Sequence, residues 1–481
     1  MKKDIINKFK SISTIVIFFV IFFLALFLRL YNYENYPDAR FNWDEWAFAW
    51  CGESLLLSNK PASWSAYEKI YITYGYVVGL APYPVGYTRF GFERKYLLVG
   101  PWLDHPWLFA IITGLATILG NECSFTTIRL PAILMTSFCA GLIYLIGKKL
   151  HDHKIGILAS LFFSFVPSIV IFNRQALAEN GIIFFTLISF YLILKYFDNH
   201  RKRWLYFAAI SSGLASLCKV SGIASIIFIA AILLYKKHYQ SAFISFAIGI
   251  ILFMIYPLTG IIYNWNVFYR ILLEHSKRTL VLSNWLNLTI AGFIDQILKR
   301  VFLATGFIFD VYIIDWWVIF SWISALYLNK NSNEQNHFIL LGIISNLVIL
   351  LILIGTEYGW YMIPFYPFFC LANAYFINKF IKETNLIDAF IFIFTIFFGS
   401  IRWFLSSEFI NNSPFFFRIF FLIIMAPYII KYFFPLKKIE NICMIVSMIL
   451  FCILLITFIV NTLNFKDIFS QFYNSRIPII P

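Results

Sequence analysis

Apolar runs long enough to cross a bilayer alternate with short polar or basic segments along almost the whole chain. A helix of about 20 apolar residues spans the hydrocarbon core of a membrane, and only helices and closed barrels satisfy all backbone polar groups in lipid. The pattern predicts about 13 transmembrane helices. Their predicted ranges are 13–30, 132–147, 155–172, 181–197, 204–218, 222–235, 241–258, 310–328, 338–355, 361–378, 386–404, 415–432 and 442–461.

The composition excludes a soluble protein. Hydrophobic residues make up 61% of the 481 residues and charged residues 13%, which leaves too few polar side chains to cover a water-facing surface. The net charge of +14 does not predict a nucleic-acid partner. Lys and Arg cluster in short segments beside the apolar runs, where such residues set topology and contact membrane lipids. The predicted fold class is an all-α polytopic membrane protein.

The basic segments also predict which side of the membrane each loop faces. If they lie in the cytoplasm, as the positive-inside rule favours, residues 31–129 form a long first extracytoplasmic loop. Within it, the apolar stretch 107–119 is short for a crossing and predicts a short helix along the membrane surface. Cys51 and Cys123 would then face an oxidising compartment, which leaves a disulfide between them open.

Charged side chains gather near this same face, at a depth where they are costly and usually functional. The segment FNWDEWAFAW places Asp44 and Glu45 among aromatic residues. An aromatic belt explains the tryptophans but not the acids. Two neighbouring carboxylates in a partly desolvated site cannot both ionise freely, so one of them is expected to serve as a general base.

Basic side chains from other extracytoplasmic segments are predicted to reach the same face. They are Arg174, Lys219, Lys277 and Arg278. Cations of this kind bind phosphate oxygens. A general base beside a phosphate clamp at a membrane surface indicates group transfer from a lipid-phosphate donor.

An ordered set of motifs resembles the GT-C glycosyltransferases that use polyprenyl-phosphate sugars. The chain is most similar to the protein O-mannosyltransferases and the lipid A aminoarabinose transferases, and thus to glycosyltransferase family 39. The resemblance covers about Leu28 to Tyr375, in order and with compatible spacing. Its motifs are NWDEWAFAW, DHPWLFAII, IRLPAILMTSFCAGLIYLIGKKL, NRQALAENGIIFF, LASLCKVSG, RILLEHSKRTL and YMIPFYPFFCLANAY.

The resemblance implies a role for each matched residue. Asp44 would be the general base, Glu45 would orient the first loop or an acceptor, and Glu179 would be a second acid near the acceptor. The donor phosphate would be bound by cations and a histidine, namely Lys219, Arg278, His105 and Arg174. No cofactor would be required, although Asp104 and His275 match positions where some relatives hold a metal ion.

The predicted function is inverting transfer of a sugar from a polyprenyl-phosphate donor to a hydroxyl of a protein, lipid or glycan acceptor. A transporter or another lipid-linked glycan ligase or polymerase is the alternative; the acids on one face and the absence of repeated halves argue against transport. We expect a prokaryotic inner membrane with the active site facing outside. Residues 1–380, with loop 31–129, are predicted to be the GT-C-like catalytic domain. Residues 381–481 would add transmembrane helices and a short extracytoplasmic tail.

Overall fold

In the computed structural model, the described residues are 2–37, 44–82, 95–278, 305–307, 311–313, 316–330, 333–353, 359–400 and 414–464. Most of them are helical, which confirms the predicted fold class. The helices in chain order are α1 Lys2–Leu30, α2 Asp44–Ser58, α3 Glu68–Thr73, α4 Leu108–Gly120, α5 Phe125–Leu150, α6 His153–Phe165, α7 Pro167–Arg174, α8 Ala178–Asn199, α9 Lys202–Cys218, α10 Ile223–Tyr235, α11 Tyr239–Phe253, α12 Ile255–Arg278, α13 Trp316–Lys330, α14 Glu334–Leu353, α15 Tyr366–Glu383, α16 Leu386–Phe392, α17 Pro414–Phe433 and α18 Lys437–Leu463.

Six helices in this described part are long and apolar enough to cross a membrane, and the bent pair α6–α7 makes a seventh. Every stretch predicted to span contains a helix. The count of about 13 crossings stays a prediction, because α9 and α10 are only 17 and 13 residues long. The domain division also stays a prediction, and α15 continues three residues beyond residue 380, to Glu383.

The first loop contains a small sheet in addition to the predicted short helices. Strands β1 Ser63–Trp64, β2 Val77–Pro82 and β3 Lys95–Val99 pair antiparallel in the order β1-β3-β2. The short helix predicted at 107–119 coincides with α4. Two further strands, β4 Thr305–Phe307 and β5 Val311–Ile313, form a hairpin later in the chain. Cys51 and Cys123 are free thiols, so the disulfide left open by the sequence is absent.

Two glycines allow the backbones of α2 and α4 to come into direct contact. A Cβ atom on Gly52 would lie 1.7 Å from the Ala110 carbonyl oxygen, and one on Gly114 would lie 2.2 Å from the Gly52 carbonyl carbon. Contacts this short cannot be relieved by rotating a side chain, because backbone atoms stand on both sides. The close crossing fixes the helix that begins with Asp44 and Glu45.

We therefore expect Gly52→Ala to destabilise the protein by about 1–3 kcal/mol, the usual cost of overpacking. The measurement is the apparent melting temperature of the purified protein in detergent. Gly79→Ala is the matched control, since nothing lies within 4 Å of a Cβ atom at that position. Equal melting temperatures for the two variants would contradict the tight crossing.

Helix α12 is interrupted at Asn264, whose φ and ψ of −168° and 106° are extended rather than helical. The Asn264 side chain accepts the backbone N–H of Val267 at 3.0 Å, which is the bond of a helix N-cap. Its amide nitrogen donates to the hydroxyl of Tyr76 in the first loop at 2.7 Å. The part of α12 that follows is therefore a new helical segment, and it carries His275.

Candidate active site

Glu45 lies in a fully buried ion pair with Arg129. Asp44 and Glu45 begin α2, and Arg129 lies near the start of α5. The Arg129 guanidinium donates to both carboxylate oxygens, Nε to Oε2 and Nη2 to Oε1, each at 2.8 Å. Neither side chain is accessible to solvent. Two parallel bonds of this kind hold a carboxylate in one orientation.

The same pair connects separate parts of the chain. Arg129 also donates to the carbonyls of Tyr33 and Pro37, each at 2.7 Å. Ala176 donates its backbone N–H to Glu45 at 2.8 Å. The segment after α1, the start of α5 and the link between α7 and α8 are thereby held against the start of α2. These added bonds satisfy two charges whose burial would otherwise be costly.

A second buried ion pair lies between Glu179 and Lys219. Glu179 is in the first turn of α8, where the helix dipole favours a negative charge, and Lys219 lies in the turn after α9. The Lys219 ammonium donates to Glu179 Oε1 at 2.6 Å and lies 4.9 Å from the centre of the Tyr361 ring. A carboxylate and an aromatic face thus hold the cation in place.

Asp44 acts electrostatically on Lys219. Burial lowers the pKa of Lys219, but interactions with Glu179, Tyr361 and Asp44 raise it, and the result is a pKa above the ordinary lysine value. By the same attraction, the Lys219 charge favours the ionised form of Asp44. Asp44 is partly buried, whereas Glu45 and Glu179 are buried. Asp44 is therefore the acid of this group that an incoming hydroxyl can reach.

The structure corrects the premise that Asp44 and Glu45 compete as neighbouring carboxylates. Successive residues of a helix point about 100° apart, and the two acids interact with different cations. Asp44 faces the charge of Lys219, while Glu45 is paired with Arg129. The charge of Glu45 is therefore balanced by Arg129, while the charge of Asp44 interacts with that of Lys219.

Asp104 accepts hydrogen bonds from two hydroxyls within the first loop. Ser65 Oγ donates to Oδ2 at 2.6 Å and the Tyr71 hydroxyl donates to Oδ1 at 2.9 Å. The Tyr71 hydroxyl also accepts the backbone N–H of Leu103 at 2.8 Å. Burial and the charge of Asp104 raise the pKa of Tyr71 well above its ordinary value. The tyrosine therefore keeps its proton and remains a donor to Asp104.

His275 and His105 lie beside this network. The Tyr67 hydroxyl and His275 Nδ1 are 3.1 Å apart, and the Tyr67 backbone N–H donates to Ser65 Oγ at 2.9 Å. Ser65 and Tyr67 thus connect His275 to Asp104. The rings of His105 and His275 have their centres 5.6 Å apart, so the two histidines lie side by side.

The residues present do not complete a metal site within the described part of the chain. No group of three or more His, Cys, Asp and Glu side chains there is placed to hold a metal ion. Asp104 already accepts two hydroxyl bonds, and zinc takes at least three protein ligands. A metal at Asp104 and His275 stays a prediction, and no step proposed below depends on one.

The structure brings Asp44, Glu179 and Lys219 together, and it places the Arg174 side chain in contact with α1. Arg174 is buried at the end of α7 and donates from Nη2 to the Leu28 carbonyl of α1 at 2.7 Å. Its guanidinium therefore contacts α1 at Leu28. The side chains of Lys277 and Arg278 lie outside the described residues.

Arg129 and Tyr361 were not predicted to belong to the site. Arg129 stands in the motif IRLPAILM, and a lone arginine at the start of an apolar run is a signal for a buried acidic partner. Tyr361 carries no comparable signal, because aromatic residues are common at membrane boundaries. Only the fold shows that its ring lies against Lys219.

Comparison with known families gives one sequence match. Residues 104–261 match the family described as dolichyl-phosphate-mannose-protein mannosyltransferase. The matched segment includes Asp104, Glu179 and Lys219 but not Asp44. No curated protein matches the chain.

Several solved structures are similar to the chain. ArnT from Cupriavidus metallidurans, bound to undecaprenyl phosphate, is 12% identical with a TM-score of 0.45, over 98% of this chain and 81% of ArnT. The oligosaccharyltransferase AglB from Archaeoglobus fulgidus, in complex with an inhibitory peptide and a dolichol-phosphate, is 12% identical with a TM-score of 0.43, over 91% of this chain. The chain spans 56% of AglB, little more than half of its length.

The family match lies where the sequence resemblance placed the later motifs of the first loop, the second outer turn and the Lys219 turn. The described helices provide the polytopic membrane architecture that such a protein requires. The family match over residues 104–261, about a third of the chain, agrees with the predicted superfamily of GT-C glycosyltransferases.

Proposed function

We propose that the protein transfers a sugar from a polyprenyl-phosphate donor to an acceptor hydroxyl, with Asp44 as the general base. The observation that carries this proposal is the position of Asp44. Its carboxylate is partly accessible, lies near the buried Lys219–Glu179 pair, and starts a helix that the Glu45–Arg129 pair holds in place. A partly accessible carboxylate at the start of a fixed helix can be reached by an acceptor hydroxyl and can accept its proton.

The donor class is supported by the family match, whose description names a dolichyl-phosphate sugar. In the proposed reaction, Asp44 takes the proton of the acceptor hydroxyl and the freed oxygen bonds to the anomeric carbon. The bond from that carbon to the lipid phosphate breaks, and its electron pair leaves with the phosphate. Attack opposite the leaving group inverts the anomeric configuration, through an oxocarbenium-like state.

The other side chains act by position and charge. Glu45 orients the start of α2 through Arg129, and Glu179 holds Lys219 near the acceptor. The Lys219 ammonium has three N–H donors and gives one to Glu179, so it can also contact a phosphate oxygen and stabilise the charge that grows there. His105, Arg278 and Arg174 are the further proposed phosphate contacts, although Arg174 already donates from Nη2 to the Leu28 carbonyl.

The direct test is to incubate the purified protein with a panel of radiolabelled polyprenyl-phosphate sugars and to follow release of the sugar. The expected result is turnover of one donor that Asp44→Asn strongly reduces. A folded protein that releases sugar from none of them would overturn the proposal. Flux of a solute through reconstituted vesicles, without any sugar release, would favour the transporter alternative.

We also propose that the active site faces the outside of a prokaryotic cell membrane. In a background that lacks Cys123 and Cys452, a cysteine at the exposed position Lys69 should react with an impermeant reagent on intact cells. A cysteine at the exposed position Asn333 should react only after lysis. The opposite pattern would reverse the topology.

The influence of Lys219 on Asp44 predicts a change in the pH dependence of turnover. Without the cation, Asp44 should bind its proton at a higher pH, so Lys219→Met should move the acidic limb of the pH–rate profile upwards. Lys69→Met, which removes an exposed lysine of α3, is the control and should leave the profile unchanged. The double variant Glu179→Gln/Lys219→Met leaves Glu179 uncharged and keeps the test valid if the single variant is unstable. An acidic limb that stays in place in both Lys219 variants would contradict the coupling.

A further inference from the structure

An elongated groove with a volume of about 850 Å³ lies between α1, α5 and α8. Its walls are mostly apolar and include Phe18, Phe138 and Leu142, while Thr14, Lys148 and Lys195 line its polar end. Phe18 packs directly over Gly141, where a Cβ atom would meet the ring at 2.4 Å. The groove opens to the outside of the bundle, since Ile15, Phe19 and Phe138 are all exposed along it. Its volume lies within the range of roughly 300–1,000 Å³ that is usual for sites of small ligands.

The groove lies at the opposite end of the bundle from the candidate active site. On α5, Arg129 and Lys148 are separated by about 28 Å at 1.5 Å per residue, and on α8 Glu179 and Lys195 are separated by about 24 Å. These separations approach the hydrocarbon thickness of roughly 30 Å. The polar end of the groove therefore lies at the membrane face opposite the active site.

The length of the groove corresponds to one leaflet. From Phe138 to Lys148 it follows α5 for about 15 Å, half of the roughly 30 Å hydrocarbon core. A lipid of one leaflet fits such a groove with its acyl chains along the apolar wall and its headgroup at the lysines. A polyprenyl chain, with its many isoprene units, is much longer than this wall.

The polar end of the groove is suited to a phosphate. Lys148 donates to the Thr14 hydroxyl, which orients its ammonium at the mouth of the groove. The Lys195 ammonium lies 5.4 Å from the centre of the Tyr191 ring and 5.6 Å from that of Trp204. Within the described part of the chain, no carboxylate forms a salt bridge with Lys195.

We propose that this groove binds an anionic glycerophospholipid of the leaflet opposite the active site, with the lipid phosphate between Lys148 and Lys195. The site is separate from the donor site and rests on neither the base nor the donor assigned above. Each lysine near an anionic headgroup contributes about five- to sixfold to affinity. Removal of both should weaken binding by about 30-fold.

The test measures thermal unfolding of the full chain in detergent during titration with phosphatidylglycerol, phosphatidylcholine, undecaprenyl phosphate or inorganic phosphate. Phosphatidylglycerol should raise the melting temperature at a lower concentration than phosphatidylcholine or inorganic phosphate. Lys148→Gln/Lys195→Gln should raise, by about 30-fold, the phosphatidylglycerol concentration that gives half of the maximal stabilisation. The matched control, Lys202→Gln/Lys237→Gln, removes two exposed lysines near the same end of the bundle. It should leave this phosphatidylglycerol concentration unchanged.

Ile188→Trp supplies an independent variant, because it fills the groove and keeps both lysines. It should reduce the stabilisation by phosphatidylglycerol even if the double lysine variant does not fold. Equal stabilisation by phosphatidylcholine would overturn the proposal, as would a response to phosphatidylglycerol that Ile188→Trp leaves unchanged. Stabilisation by undecaprenyl phosphate that Ile188→Trp abolishes would assign the groove to a polyprenyl lipid, because binding at the separate donor site would survive that variant. If inorganic phosphate alone gave the full stabilisation, the acyl chains would have no part in binding.

Discussion

Asp44→Asn should lower the rate of sugar transfer by about 10²- to 10⁴-fold, the usual contribution of a general base. The substitution keeps the size and polarity of the side chain but removes the atom that accepts the proton. Donor binding and insertion into the membrane should persist, because Glu45–Arg129 and Glu179–Lys219 remain paired. Single-turnover transfer from a radiolabelled donor, with donor binding measured separately, checks the result. Turnover should also fall at acidic pH as the Asp44 carboxylate becomes protonated.

Glu68→Gln is the matched control for this substitution. Glu68 is a partly exposed acid in the same loop, so its conversion to an amide changes the loop charge equally and should leave turnover unchanged. An Asp44→Asn protein with near-normal turnover would move the base to Glu179. Glu45 would be a poor substitute, because Arg129 and the Ala176 amide already occupy both of its oxygens.

Arg129→Ala should be the most destabilising single substitution proposed here, at about 3–5 kcal/mol, because it leaves the buried Glu45 carboxylate without a cation. It also removes the donors that hold the Tyr33 and Pro37 carbonyls. We expect a large loss of folded protein after extraction in detergent and a lower apparent melting temperature. Arg201→Ala, which removes an exposed arginine, should have little effect.

The double variant Glu45→Gln/Arg129→Gln separates charge from packing. It buries no unpaired charge, so it should recover part of the stability lost in Arg129→Ala. If the double variant were no more stable than the single variant, the loss would come from the broken backbone contacts and not from the charge of Glu45.

The hydrophobic pattern was sufficient to predict the helices but not all features of the first loop. Each predicted span contains a helix because an apolar run in lipid has few other ways to satisfy its backbone. The β2–β3 pair was not predicted, since residues 77–82 and 95–99 are separated in sequence and pair only in the folded loop. The Gly52–Gly114 crossing was not predictable either, because it depends on the relative placement of two helices rather than on either sequence.

The sequence and the resemblance named Asp44, Glu179 and Lys219, which the fold brings together. Neither the sequence nor the resemblance identified which side chain forms an ion pair with each charged residue. Adjacent residues such as Asp44 and Glu45 look equivalent in a sequence, but the helix turns them in different directions. Arg129 lies 84 positions from Glu45, and local patterns carry no information on a contact of that range.

The interruption of α12 at Asn264 gives the two halves of that helix different tolerance to changes in length. A residue inserted before Asn264 can be absorbed where the helix restarts, because the cap bond to Val267 and the bond to Tyr76 define the new beginning. A residue inserted between Asn264 and His275 has no such place to be absorbed. It would rotate His275 by about 100° and shift it by about 1.5 Å along the axis, away from Tyr67. The position of His275 beside Tyr67 is therefore set by its distance along the helix from Asn264, and it is independent of the length of the segment that precedes Asn264.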